Sequence, residues 1–242
     1  MNNRGVTLLE LLVAVSLLSL LATGLVLAMR LGFNAMNTTN AQLLDNRRML
    51  SVQRILEQQI AGLMPVVAEC LANPGLPPAA MPFFQGAPAS MRFVSSYSLG
   101  EAWRGYPRIL EFQVIPGEEG RGVRLVVNEH LYTGPRSAGS FCLGAIPDPS
   151  LGGWVPGFRP IQVGPYSFVL ADKLAYCRFI YRDTLPPPAL ARWMPVWPKM
   201  GWPSAVRIEM APLEAARARL PLVSITAPIR VNKVPFNEYA DY

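Results

Sequence analysis

The sequence predicts an α+β fold, with one long N-terminal helix packed on an antiparallel β-sheet. Three features carry that expectation. The run from Val6 to Met29 is dominated by apolar residues, and its only charge is Glu10. A second stretch, from Gln42 to Leu63, spaces Met49, Val52, Leu56, Ile60 and Leu63 by threes and fours, which is one face of a helix. Beyond Pro65 the apolar pattern turns to period two, with turn residues between short runs.

The first element is the apolar run. Its 24 residues, at about 1.5 Å rise, give roughly 36 Å, enough to cross a bilayer core with some tilt. Three readings compete for it. A secretory signal peptide has a shorter apolar core, a small-residue cleavage site and no acid near its start. A plain membrane anchor fits the length but leaves Glu10 unexplained, because a carboxylate in hydrocarbon costs about 2.5–3.5 kcal/mol on insertion scales.

The third reading is a resemblance. The segment Gly5-Val6-Thr7-Leu8-Leu9-Glu10-Leu11-Leu12-Val13-Ala14 is similar to the cleavage and methylation motif of type IV pilins and type II secretion pseudopilins. In that family a glycine precedes the scissile bond and a glutamate is the fifth residue after it; Gly5 and Glu10 have that spacing. The residue after the cut is usually phenylalanine or methionine, and here it is Val6. The resemblance implies a leader of residues 1–5, removed by a prepilin peptidase, and methylation of the new Val6 amine. That amine is cationic near neutral pH, with a pKa of about 7.7–8.0. Its natural partner in a low-dielectric layer is the Glu10 carboxylate of a neighbouring subunit. The plainer alternatives are an acid snorkelling to the membrane edge at Glu10 and a flexible pre-helix residue at Gly5. Charge counting, with Arg4 before the span and Arg30, Arg47 and Arg48 after it, does not favour a cytoplasmic N-terminus. The resemblance does: it implies a single-pass inner-membrane protein with its globular part in the periplasm.

No proline interrupts the chain between the apolar run and Pro65, so the helix is expected over residues 6–64, with its membrane part at 6–29. Gly32, Asn34, Asn37 and Asn40 are expected to loosen it between the two halves, and Pro65 to end it. Residues 65–242 are expected to form one β-rich globular domain. Met91 to Ser98 reads as a strand. Leu110, Phe112 and Val114 pair with Val123, Leu125 and Val127 across the polar loop 116–120. Further strands are expected at Tyr166–Leu170, Leu174–Asp183, Ala205–Met210 and Leu222–Arg230. Three Pro/Gly-rich stretches, 71–90, 134–165 and 184–203, read as interruptions. A long helix followed by an antiparallel sheet is α+β, and it is also the pilin-like architecture that the resemblance implies.

Composition narrows function. The chain is 51% hydrophobic and 16% charged, an average over two unlike regions. The net charge of +6 is scattered, with no basic run longer than Arg47-Arg48, so no nucleic-acid partner is expected. Cys70, Cys142 and Cys177 have no CxxC spacing, and His130 is the only histidine. Neither a structural metal nor a cofactor is expected from that set. Cys177 falls in an expected strand and reads as a small buried residue. If the globular part lies outside the cytoplasm, Cys70 with Cys142 is then the candidate disulfide. No G-x-S-x-G, G-x-x-x-x-G-K or HExxH occurs, and a lone histidine makes a Ser/His or Cys/His device hard to build. The chain is therefore expected not to be an enzyme. Glu118, Glu119 and Asp148 read as solvated loop acids rather than a calcium site.

Two downstream stretches resemble the minor pseudopilin J of type II secretion systems. One is Asn40–Leu63, with Arg47, Arg48, Arg54 and Glu57 around the apolar stripe. The other runs from Tyr176-Cys177-Arg178-Phe179-Ile180-Tyr181-Arg182-Asp183 through Trp193 and Trp197 to Pro203-Ser204-Ala205-Val206-Arg207-Ile208-Glu209. The resemblance implies a tip complex with the I- and K-type minor pseudopilins and the major pseudopilin, which starts the filament that drives export across the outer membrane. Trp193, Trp197 and Trp202 are a candidate contact surface, or else fold back over the sheet. A minor type IV pilin, for adhesion, twitching or DNA uptake, shares the same N-terminus. A membrane-anchored periplasmic enzyme or binding protein is the remaining class.

Overall fold

The computed structural model describes residues 7–70, 79–100, 104–149, 152–184, 191–213 and 223–229. The chain divides into two compact units, Met1–Arg47 and Arg48–Tyr242. One helix, α1 (Leu8–Ala61), contributes to both. It runs unbroken past Gly32, Asn34, Asn37 and Asn40, so the loosening expected there is absent. It stops at Ala61, before Pro65, because strand β1 (Leu63–Met64) already pairs with a neighbour.

Within the second unit the end of α1 behaves as its periodicity demands. Val52, Leu56, Ile60 and Leu63 are buried in the main core, with Met49 packed against it. Gln53 and Glu57 lie off that stripe and bond to each other, Nε2 donating to Oε1 at 3.0 Å. The last turns of the helix thus belong to the core of the second unit.

The remaining strands are β2 (Val67–Cys70), β3 (Ala79–Pro82), β4 (Gln85–Gly86), β5 (Ser90–Tyr97), β6 (Arg104–Pro116) and β7 (Val123–Leu131). After a short helix, α2 (Pro135–Gly139), come β8 (Cys142–Asp148), β9 (Gly153–Phe158), β10 (Phe168–Asp183), β11 (Arg192–Met194), β12 (Ala205–Pro212) and β13 (Val223–Pro228). The main antiparallel sheet has the order β1-β5-β6-β7-β10-β12-β13, with β4 beside β5 and β11 beside β10. The architecture is the expected α+β, pilin-like one. The hairpin of β6 and β7 pairs Pro116 with Val123, as the alternation predicts.

Two expectations need correction. The expected strands Tyr166–Leu170 and Leu174–Asp183 are not separate: one strand, β10, starts at Phe168 and runs through both, with its register slipping at Ala171 and Leu174. Lys173, at φ 54°, takes up the extra residue of that bulge. Gly122 faces it at φ 65°, and a Cβ there would lie 2.3 Å from the Leu174 carbonyl oxygen. The three Pro/Gly-rich stretches also contain structure. They hold β3 and β4, then α2 with the β8–β9 hairpin, then β11. Short two-stranded pairings tolerate proline at their ends and edges, so Pro82, Pro147 and Pro156 do not forbid them.

The sheet has two faces. The inner one carries Met91, Phe93, Leu110, Phe112, Leu125, Val127, Phe179, Val206 and Ile208, in one cluster with the α1 stripe. Over β5, β6 and β7 the outer face is covered by a second lobe of β2, β3, α2 and β8–β9, with its own core of Val66, Ala68, Met81, Phe83, Val94, Ile109 and Ala138. A disulfide between Cys70 on β2 and Cys142 on β8, with Cα atoms 5.5 Å apart, ties this lobe together.

Cys177 on β10 is a free thiol, 7% exposed. Burial pushes it up to about 12 from an ordinary 9.0. The folded thiol therefore holds its proton where the unfolded one has lost it, so its stabilising contribution is complete below pH 9 and lost between 9 and 12. Native protein should resist iodoacetamide at pH 8 and react at one site on unfolding without reductant. Wild-type stability should fall more steeply than that of Cys177→Ala between pH 9 and 12, by urea unfolding of the detergent-solubilised chain.

Candidate functional site

The site begins where the apolar helix begins. Gly5 and Val6, the expected cleavage pair, lie outside the described residues. Thr7 is the first described residue and Glu10 sits in the first turn of α1. The two form a reciprocal cap. The Thr7 backbone N–H donates to Glu10 Oε2 at 3.3 Å, the Thr7 hydroxyl donates to the same oxygen at 3.4 Å, and the Glu10 N–H donates to Thr7 Oγ1 at 3.3 Å. This satisfies N–H groups at the helix start, which have no helical carbonyl four residues before them. It also puts a negative charge at the positive end of the helix dipole. Sequence reasoning assigned Glu10 to pairing between chains and passed over Thr7, although the T-x-x-E spacing is a legible capping signal.

Within the 33-residue stretch Leu8–Asn40 the most apolar 18-residue window reaches a mean hydropathy of 2.5, and none of that window is buried within the chain. At about 1.5 Å per residue the stretch is about 50 Å long, more than the roughly 30 Å of a hydrocarbon core. Its hydroxyls are not left over. Ser16 donates to the Val13 carbonyl at 2.8 Å, Ser19 to Ser16 at 2.9 Å and Thr23 to Ser19 at 2.8 Å. These serine and threonine hydroxyls return to the helix's own backbone and so are not left unsatisfied in lipid. Glu10 is thus the one formal charge between Thr7 and Met29. The helix is compatible with membrane anchoring.

A family model described as the prokaryotic N-terminal methylation motif matches residues 1–26. The chain carries a prepilin-type N-terminus. The match spans Gly5, Val6, Thr7 and Glu10, and it supports the pilin and pseudopilin family. No curated protein and no solved structure matches the chain.

The tryptophan loop folds back on the sheet at Trp197. Trp197 is 5% exposed and part of the main core, and its Nε1 donates to the Gly201 carbonyl at 2.9 Å. It bridges to Gly86 on β4, where a Cβ would lie 2.8 Å from Trp197 and from Tyr181. Trp202 is half-buried against the same core. Trp193 is half-buried on β11, with the Arg207 guanidinium 4.1 Å from its ring centre. These rings cover the sheet; a buried Trp197 has no face to offer a partner.

The densest polar cluster of the second unit lies under the outer lobe. Arg92 Nε donates to Glu111 Oε1 at 2.7 Å, and its other nitrogens donate to Gln85 Oε1 and the Arg159 carbonyl. Its guanidinium lies 5.5 Å from the ring centres of Phe141 and Phe158. Asn128 donates to Glu111, and His130 Nε2 lies 3.2 Å from the same carboxylate. Burial lowers the Arg92 pKa, and Glu111 opposes that shift. These groups bond to one another across β4, β5, β6, β7 and the outer lobe, so the cluster is a fastener for the lobe. The loop acids are likewise engaged: Glu118 pairs with Arg124, which also holds Asp172 at 2.9 Å, and Glu119 lies 3.8 Å from Arg121. Among the described residues no group of three or more His, Cys, Asp or Glu is placed to hold a metal ion.

Glu111→Ala, which leaves a buried guanidinium unpaired, should cost about 3–5 kcal/mol in urea unfolding. Replacing both partners, as Arg92→Met with Glu111→Leu, should cost less than the single change. A single change no worse than the double would contradict the fastening role.

Proposed function

We propose that the chain is a minor pseudopilin of the J type, working in the tip complex that initiates the pseudopilus of a type II secretion system. The observation that carries this reading is the lone acid, Glu10, at the start of an apolar helix inside the matched methylation motif. Cleavage after Gly5 gives Val6 a cationic amine. Capping by Thr7 uses only part of the Glu10 carboxylate's capacity, since two oxygens offer about four acceptor sites. The remainder accepts a neighbouring subunit's amine as the two helices come together, and both charges leave the low-dielectric layer as a pair. Filament growth is then favoured by removing an unpaired charge from lipid.

The disulfide Cys70–Cys142 supports a periplasmic globular part, because such bonds persist in oxidising compartments. The J type is supported by the resemblance of Asn40–Leu63 and of the stretch from Tyr176 to Glu209, whose two ends are residues 176–183 and 203–209. These ends come together as paired strands, Arg178 opposite Glu209 and Tyr181 opposite Val206. In this reading the partners are the I- and K-type minor pseudopilins, the major pseudopilin and the prepilin peptidase.

Deletion of the gene should abolish release of the secreted proteins into the medium while leaving twitching and DNA uptake intact. Re-expression of the wild-type chain should restore release, and Glu10→Ala should restore it poorly although its leader is still removed. Unchanged secretion together with lost twitching or DNA uptake would replace this reading with that of a minor type IV pilin.

A further inference from the structure

Among the described residues, the outer face of the main sheet is covered only in part. Over β5, β6 and β7 the lobe buries Arg92 and matches it with Glu111. Over β10, β12 and β13 the register sets a different surface. Arg182 stands beside Trp193 and Ala205; Ile180 beside Arg207 and Thr226; Arg178 beside Glu209 and Ser224; Tyr176 beside Ala211. Residues opposite each other across a ladder point to the same side, and the alternate positions Cys177, Phe179, Tyr181, Val206, Ile208 and Met210 are the buried ones. Three arginines thus share the outer face with one carboxylate.

Their partners show how much positive charge is left over. Arg178 holds Glu209 by two nitrogens, Nε at 2.7 Å and the terminal nitrogen at 2.6 Å. Arg207 lies over the Trp193 ring and donates to Thr226 Oγ1 at 3.4 Å. Arg182 is exposed and forms no ion pair among the described residues. Ile180 is half-buried and Tyr176 is 39% exposed between these charges. We propose that this face of β10, β12 and β13 docks an acidic surface of another protein, with carboxylates taken by Arg182 and Arg207 and apolar contact made at Tyr176 and Ile180.

Charge complementarity selects that occupant. Two guanidinium groups with no carboxylate partner, on a rigid sheet, can each meet a carboxylate with several N–H donors, and Arg178 already turns two of its nitrogens on the single Oε2 of Glu209. Arginine with aromatic side chains is the usual composition of a protein contact. A nucleic-acid strand fits less well. Glu209 would oppose its phosphates, and the Trp193 ring that could stack a base already carries Arg207.

The test uses the full chain in nonionic detergent and a fluorescent synthetic peptide of alternating glutamate and leucine, followed by anisotropy. A single-stranded oligonucleotide of equal charge is the second probe. Arg182→Ala alone should weaken peptide binding by about threefold, and Arg178→Ala, Arg182→Ala and Arg207→Ala combined by about tenfold or more. Arg121→Ala, in the β6–β7 turn and 75% exposed, should leave it unchanged. Arg182→Ala removes no packed or paired group, so its result stands even if the triple variant misfolds. Equal peptide affinity in Arg182→Ala and wild type, an equal loss in Arg121→Ala, or tighter binding of the oligonucleotide would each overturn the proposal.

Discussion

Burial of Val52, Leu56 and Ile60 against the sheet is the contact on which the globular unit depends. Each of these side chains gains about 1.5–3 kcal/mol by leaving water. Together they recruit the last turns of α1 into a core built from β5, β6, β7, β10, β12 and β13. With the inner face closed in this way, only the outer face of the sheet is free to vary. One half of it is closed by a lobe that combines a disulfide, a small apolar core and the Arg92–Glu111 pair. The other half is left polar and positive.

The same helix obeys a different rule over its first part. There the Thr7–Glu10 cap closes its start, and the hydroxyls of Ser16, Ser19 and Thr23 bond back to the preceding turn. One amphipathic stretch that must be buried in protein and one uniformly apolar stretch that must not meet water are joined without a break. That combination needs a helix of 54 residues, far longer than the usual 10–14 or so of globular proteins.

The features legible in the sequence are those with strict periodicity or fixed spacing. Met49 to Leu63 gave away the buried stripe, and the alternation through Leu110 and Val123 gave away the central hairpin. Gly5 and Glu10 are set by spacing alone, and that spacing carried the family resemblance. What was illegible is what depends on distant partners. The β8–β9 hairpin is rich in proline and glycine and lacks alternation, so only its pairing and the Cys142 bridge reveal it. Arg92 looks like any surface arginine on a strand until Phe141, Phe158 and Arg159, far along the chain, close over it. Lys173 gave no sign of a bulge, because an ordinary residue takes up the left-handed conformation there. Trp197 reads as an interface anchor by type, and its burial follows from Gly86, over a hundred residues earlier.

The central claim is that the apolar helix begins its mature life at Val6, with Glu10 placed to meet a cationic amine. Intact-mass measurement of the chain extracted from the membrane of its native host tests that claim most directly. A mass lacking residues 1–5 and carrying one added methyl group on Val6 is the predicted result. A chain that still begins at Met1 would contradict it.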